Sequence, residues 1–119
     1  MVMEKERIEI VEYGKKLITE GLTKGTGGNI SICNQEEGLM AISPSGIDYF
    51  AMTPEDVVVM KLDGTVYDGI RKPSSEYHLH SLVYRARKDV GAVVHTHSTY
   101  AAVMSVLRES LPPVHYMIA

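Results

Sequence analysis

Val57-Val58-Val59-Met60-Lys61-Leu62-Asp63-Gly64-Thr65-Val66-Tyr67 decides the fold. A β-branched run enters Asp63-Gly64, and Thr65-Val66-Tyr67 answers it. Asp-Gly between two such runs is a two-residue hairpin signal, because glycine takes a positive φ without steric cost. The stretch therefore predicts an antiparallel pair of strands. Just upstream, Thr53-Pro54-Glu55-Asp56 carries helix-start chemistry: a hydroxyl cap, proline in the first position and acids in the first turn.

Working outward, residues 4–20 predict an amphipathic helix with Ile8, Val11, Ile18 and Leu22 recurring near helical spacing, closed by Gly21 and Gly25. Residues 30–33 alternate as a strand, and residues 39–42 form a short apolar one ending at the turn Ser43-Pro44-Ser45-Gly46. Lys72-Pro73-Ser74-Ser75 leads into a second helix from Glu76 to about Lys88, with Leu79 and Val83 on its inner face. Residues 90–95 read as a buried strand, Ser98 as the cap of a third helix running through Leu107, and Pro112-Pro113 as a break before a last strand. Helices mixed with a hairpin predict an α/β layered fold around a mixed or antiparallel sheet, in one domain over residues 1–119.

Composition narrows the function. In 119 residues, 45% are hydrophobic and 23% charged, as in ordinary soluble domains. A formal net charge of -3 gives no basic face for nucleic acid or an anionic membrane. Cys33 is the single cysteine, which excludes an intrachain disulfide and fits a reducing compartment. The first residues lack the apolar core of a signal peptide, and no apolar run is long enough to cross a bilayer, so a cytoplasmic protein is expected. The sequence stops in the apolar run Tyr116-Met117-Ile118-Ala119, which suggests a C-terminally shortened chain or a partner that completes the fold.

Three features carry chemistry. His95-Thr96-His97 follows the strand at 90–94. Residues i and i+2 of a strand share a face, so the two imidazoles either hold one ion at the ~2.0–2.1 Å of zinc–nitrogen bonds or merely cap the strand. Glu76 follows Ser74-Ser75 in the first helical turn, where a carboxylate complements the dipole beneath a Ser75 cap; beside a metal it is instead a ligand or general base. The turns Thr26-Gly27-Gly28-Asn29, Ser43-Pro44-Ser45-Gly46 and Lys72-Pro73-Ser74-Ser75 present hydroxyls and backbone N–H groups. The last of them sits at a helix N-terminus, and together they suit a phosphate, although turns are rich in such residues for conformational reasons alone. His80 lies four residues after Glu76, on one helix face with it; a metal pair is one reading of that spacing, and packing or an intrahelical contact is the expected one. Tyr49 and Tyr84 read as packing residues with wet hydroxyls, and Cys33 as a buried small residue.

Taken together, these features resemble the class II aldolase family, which includes sugar-phosphate aldolases, a 4-epimerase and the non-enzymatic adducin head. The resembling stretches run in the family's order: Gly25-Thr26-Gly27-Gly28-Asn29-Ile30-Ser31, Ser43-Pro44-Ser45-Gly46, Lys72-Pro73-Ser74-Ser75-Glu76, Val93-Val94-His95-Thr96-His97 and Pro113-Val114-His115-Tyr116-Met117-Ile118-Ala119. The last resembles the fuculose-phosphate aldolase branch.

The resemblance implies an α/β/α sandwich around a largely antiparallel sheet, incomplete at the C-terminus, and a cyclic homotetramer with active sites at subunit interfaces. It implies that Asn29, Ser45, Gly46, Ser74 and Ser75, with Thr26 and Gly28, bind a substrate phosphate. His95 and His97 would be ligands of one zinc ion per subunit, with Glu76 a further ligand and the general acid/base. Tyr116 would help to protonate the aldehyde side. The family's third zinc histidine lies downstream of this chain's last residue. The implied reaction is that of a lyase: reversible aldol cleavage of a ketose 1-phosphate, such as L-fuculose 1-phosphate, to dihydroxyacetone phosphate and a hydroxyaldehyde, lactaldehyde in that case. An epimerase, a methylthioribulose-phosphate dehydratase and an adducin-like assembly module are the alternatives on the same scaffold. An assembly module predicts loss of the metal histidines or the glutamate, and His95, His97 and Glu76 are all present.

Overall fold

The computed structural model describes residues 1–96, in the order α1 (Glu4–Thr19), β1 (Asn29–Asn34), β2 (Leu39–Ile42), a 3-10 turn (Pro54–Asp56), β3 (Val58–Lys61), β4 (Val66–Asp68), α2 (Tyr77–Ala86) and β5 (Ala92–His95). The helix expected from Ser98 and the strand expected after Pro112-Pro113 lie outside the described residues. β3 and β4 pair antiparallel across Asp63-Gly64, and the Asp63 carboxylate accepts both the N–H and the hydroxyl of Thr65, at 3.0 and 2.7 Å. The turn before β3 forms a complete capping box between Thr53 and Asp56.

The strands form one five-stranded sheet in the order β4-β3-β2-β1-β5, with every neighbouring pair antiparallel. β2 and β3 are apolar on both faces because both faces are covered. Leu39, Ala41, Val57 and Val59 pack with Ile10, Val11 and Leu17 of α1, together with Tyr49. Met40, Ile42, Val58 and Met60 turn the other way, toward Tyr84 and Tyr77 of α2. The result is the expected α/β/α sandwich.

The buried stripes match the expected ones only in part: of the α1 positions, Val11 is buried and Ile18 packs against the core. α1 buries Arg7, Ile10, Val11, Gly14 and Leu17, while Ile8 is exposed. Tyr49 fixes this rotation: a Cβ on Gly14 would lie 1.9 Å from its ring. Arg7 completes the stripe despite its charge. Its guanidinium donates to the Val2 carbonyl at 2.7 Å and the Val57 carbonyl at 3.0 Å, and pairs with Asp68. α2 buries His80, Ser81 and Tyr84 and leaves Leu79 and Leu82 exposed, at 44% and 56%. The cause is the sheet surface beneath it, since Asn29 and Ser31 on β1 are polar and draw polar partners from the helix. β5, expected as a buried strand, pairs with β1 alone among the described residues, and its Ala92 and Val94 are exposed.

Candidate active site

Backbone hydrogen bonds lace the small-residue turns to one another. The Ser43 N–H donates to the Ile30 carbonyl at 3.0 Å, and the Ile30 N–H donates to the Ser43 hydroxyl at 3.2 Å, which ties that turn to the start of β1. The Ser45 N–H donates to the Lys72 carbonyl at 2.9 Å, the Ser74 N–H donates to the Ser43 carbonyl at 3.0 Å, and Pro44 bridges Pro73. Tyr49 reaches from below to the Gly28 carbonyl at 3.4 Å. Asn29 and Ser74 are buried within this knot, while Ser45, Gly46 and Ser75 stand exposed on its rim. Gly46 has φ +71°, a backbone conformation that suits glycine. Thr26 is exposed on the turn that leads into Gly28 and Asn29.

Glu76 stands where the knot meets α2. Its N–H donates to the Ser74 hydroxyl at 3.2 Å; Glu76 itself is the N-cap of α2, and no side chain caps this end, so the expected Ser75 cap is not formed. Oε1 of Glu76 accepts from Asn29 Nδ2 at 2.7 Å and contacts His95 Nδ1 at 2.8 Å. Asn29 and His95 are direct partners in the β1–β5 register, which aims both at one oxygen. The two partners differ in access: the His95 and Glu76 side chains are 22% and 39% exposed.

An imidazole and a carboxylate in contact and open to solvent are a donor set that zinc accepts, so His95 and Glu76 fit the expected ion. His97 and Tyr116 lie outside the described residues, and no cluster of three metal-binding side chains occurs among the described ones.

Behind Glu76 lie His80 and Tyr84, both expected to pack, together with Ser31 of β1. His80 is fully buried; its Nε2 meets Asn29 Oδ1, and its Nδ1 meets the Ser31 hydroxyl at 2.6 Å. The Ser31 hydroxyl in turn meets the Tyr84 hydroxyl at 2.7 Å, so that hydroxyl is not wet. Burial drives the His80 pKa down to about 4; nearby His95 adds to the effect and Glu76 opposes it. Burial raises the Tyr84 pKa. Cys33 is only partly buried, and its thiol is nevertheless pushed up to about 11, mainly by desolvation. The available signal was a stripe on α2, Glu76, His80 and Tyr84 at four-residue spacing, facing Asn29 and Ser31 at two-residue spacing on a strand. Glu76 and His80 do share a face, but Asn29 is what links them.

Residues 8–119 match the family described as Class II Aldolase and Adducin N-terminal domain. The chain is 60% identical over 119 residues to the 5-deoxy-D-ribulose 1-phosphate aldolase of Bacillus thuringiensis serovar kurstaki, covering 100% of this chain and 56% of that protein. It is 36% identical to the L-fuculose phosphate aldolase of Escherichia coli K12, covering 98% of this chain and 54% of that one. A solved L-fuculose 1-phosphate aldolase superposes with a TM-score of 0.83 at 50% identity, over 99% of this chain and 56% of the other. The chain thus spans about half the length of the relatives it matches. From its residue 8 onward, the chain belongs to the class II aldolase and adducin family.

Proposed function

We propose that this chain supplies the phosphate cradle and the acid/base carboxylate of an enzyme that reversibly cleaves a ketose 1-phosphate to dihydroxyacetone phosphate and an aldehyde. The observation that carries the reading is Glu76, held by Asn29 and His95 at the edge of the laced turns. Two relatives support the substrate class. L-Fuculose 1-phosphate and 5-deoxy-D-ribulose 1-phosphate are both ketose 1-phosphates that end in a methyl group, and cleavage would release lactaldehyde from the first and acetaldehyde from the second.

In this reading the Ser45, Ser74, Ser75 and Thr26 hydroxyls, the Asn29 amide and the N–H groups around Gly28 and Gly46 bind the phosphate and orient the substrate. Glu76 moves a proton to or from the carbon next to the carbonyl. His95, His97 and Glu76 would hold zinc, which when bound supplies Lewis-acid polarisation of the substrate's carbonyl and hydroxyl oxygens. Tyr116 would serve the aldehyde side. The resemblance adds a cytoplasmic homotetramer to the proposal; among the described residues no helix is long and apolar enough to cross a membrane.

The test is to incubate the zinc-loaded protein with each of the two ketose 1-phosphates and to follow dihydroxyacetone phosphate. Its release from either one supports the reading. Epimerised or dehydrated sugar phosphate without dihydroxyacetone phosphate would overturn it.

A further inference from the structure

We propose that His80 is a positioning residue that locks the Asn29 side-chain amide in one orientation, so that Asn29 offers only N–H donors toward Glu76 and the phosphate cradle. The inference deepens the proposed function and rests on it for the role of the cradle.

The direction of each hydrogen bond follows from the one before it. An ionised carboxylate only accepts, so the Asn29 atom against Glu76 Oε1 is the amide nitrogen. The amide oxygen therefore faces His80, and an amide oxygen also only accepts, so His80 carries its proton on Nε2. The ring is buried and neutral, which makes Nδ1 an acceptor. The Ser31 hydroxyl must then donate to Nδ1, and with its single proton committed it accepts from the Tyr84 hydroxyl. Tyr84, Ser31, His80, Asn29 and Glu76 thus form one chain in which each group donates toward the carboxylate. Every link except Glu76 is buried, so water cannot readily substitute for a missing partner.

The consequence concerns Asn29. An asparagine amide is pseudo-symmetric, and either end can face an open site. If it were turned over, its oxygen would point at the Glu76 carboxylate and at a bound phosphate, both of them acceptors. His80 prevents this by occupying the oxygen. It touches neither substrate nor metal in the proposed mechanism and acts through Asn29 alone.

The experiment has two arms on the intact protein. The first is ¹⁵N NMR of the histidine rings near pH 7. His80 is expected as the neutral tautomer protonated on Nε2, and Ser31→Ala should weaken that preference because Nδ1 loses its donor. A ring protonated on Nδ1, or doubly protonated, would overturn the inference. The second arm compares His80→Phe with His80→Gln, whose terminal amide can still donate to Asn29 Oδ1. His80→Phe should weaken inorganic phosphate binding about tenfold and raise KM as well as lower kcat, the size expected when a buried polar partner is lost. His80→Gln should recover most of the phosphate affinity. Equal phosphate affinity in wild type and His80→Phe, or no difference between the two variants, would overturn it. If His80→Phe fails to fold, the tautomer and the His80→Gln affinity still decide. A protein with the expected tautomer and phosphate binding but no aldol cleavage would sink the proposed function and leave the role of His80 standing.

Discussion

Asn29 and His95 stand opposite each other across the β1–β5 pair and close on the same oxygen of Glu76, at 2.7 and 2.8 Å. Two strands thereby aim an amide and an imidazole at a carboxylate that begins a helix. The register of the antiparallel ladder fixes the two groups that meet the carboxylate.

Glu76→Gln should therefore separate binding from turnover. The amide oxygen can still accept from Asn29, so phosphate affinity should hold. Turnover should fall by ~10²–10⁴-fold, the usual contribution of a positioned acid/base. Steady-state kinetics beside phosphate titration is the check, and turnover within about threefold of wild type would remove Glu76 from that role.

Arg7 and Asp68 form an unequal pair, because Arg7 is buried while the Asp68 side chain is 50% exposed. Arg7→Met strands the Val57 carbonyl and should cost about 2 kcal/mol. Asp68→Asn should cost under about 1 kcal/mol, since water can serve the Asp68 position. Urea denaturation of both variants tests the ordering, and equal losses would contradict it.

Gly14→Ala reverses the usual rule for a helix interior, where alanine is favoured over glycine by roughly 0.5–1 kcal/mol. Here the new Cβ would land on the Tyr49 ring. A net loss of about 1–3 kcal/mol is expected from overpacking, and a gain in Tm would show that the ring moves aside freely.

His80 should make stability fall in mild acid. Its folded pKa is about 4, against an ordinary value of 6.5. Between those values the unfolded chain binds a proton that the folded chain refuses, so stability is complete above about pH 6.5 and declines toward pH 4. The full effect is on the order of 3 kcal/mol, and it should be absent from His80→Gln. Denaturation midpoints measured across that range decide, and parallel profiles for the two proteins would count against it.

Local features were legible in advance because their causes are local. The Asp63-Gly64 hairpin, the Thr53–Asp56 capping box and the extent of α1 each follow from a few neighbouring residues. Glu76, Asn29 and His95 could be singled out by residue type and spacing. The buried stripes of the helices could not. Ile8 and Leu79 fit an apolar template, yet the positions actually buried include Arg7 and His80, whose partners Val57, Asp68, Asn29 and Ser31 lie 49–61 residues away in sequence.

By itself, the sequence determined where turns fall, which segments extend or coil, and which family the motifs belong to, because turn chemistry, periodicity and motif order are properties of contiguous residues. Only the tertiary structure decided that the Ser74 hydroxyl takes the Glu76 N–H, that β5 lies beside β1, and that His80 stands behind Asn29 instead of meeting Glu76. Those outcomes depend on which polar groups from distant strands are buried together, and buried polar groups must find one another.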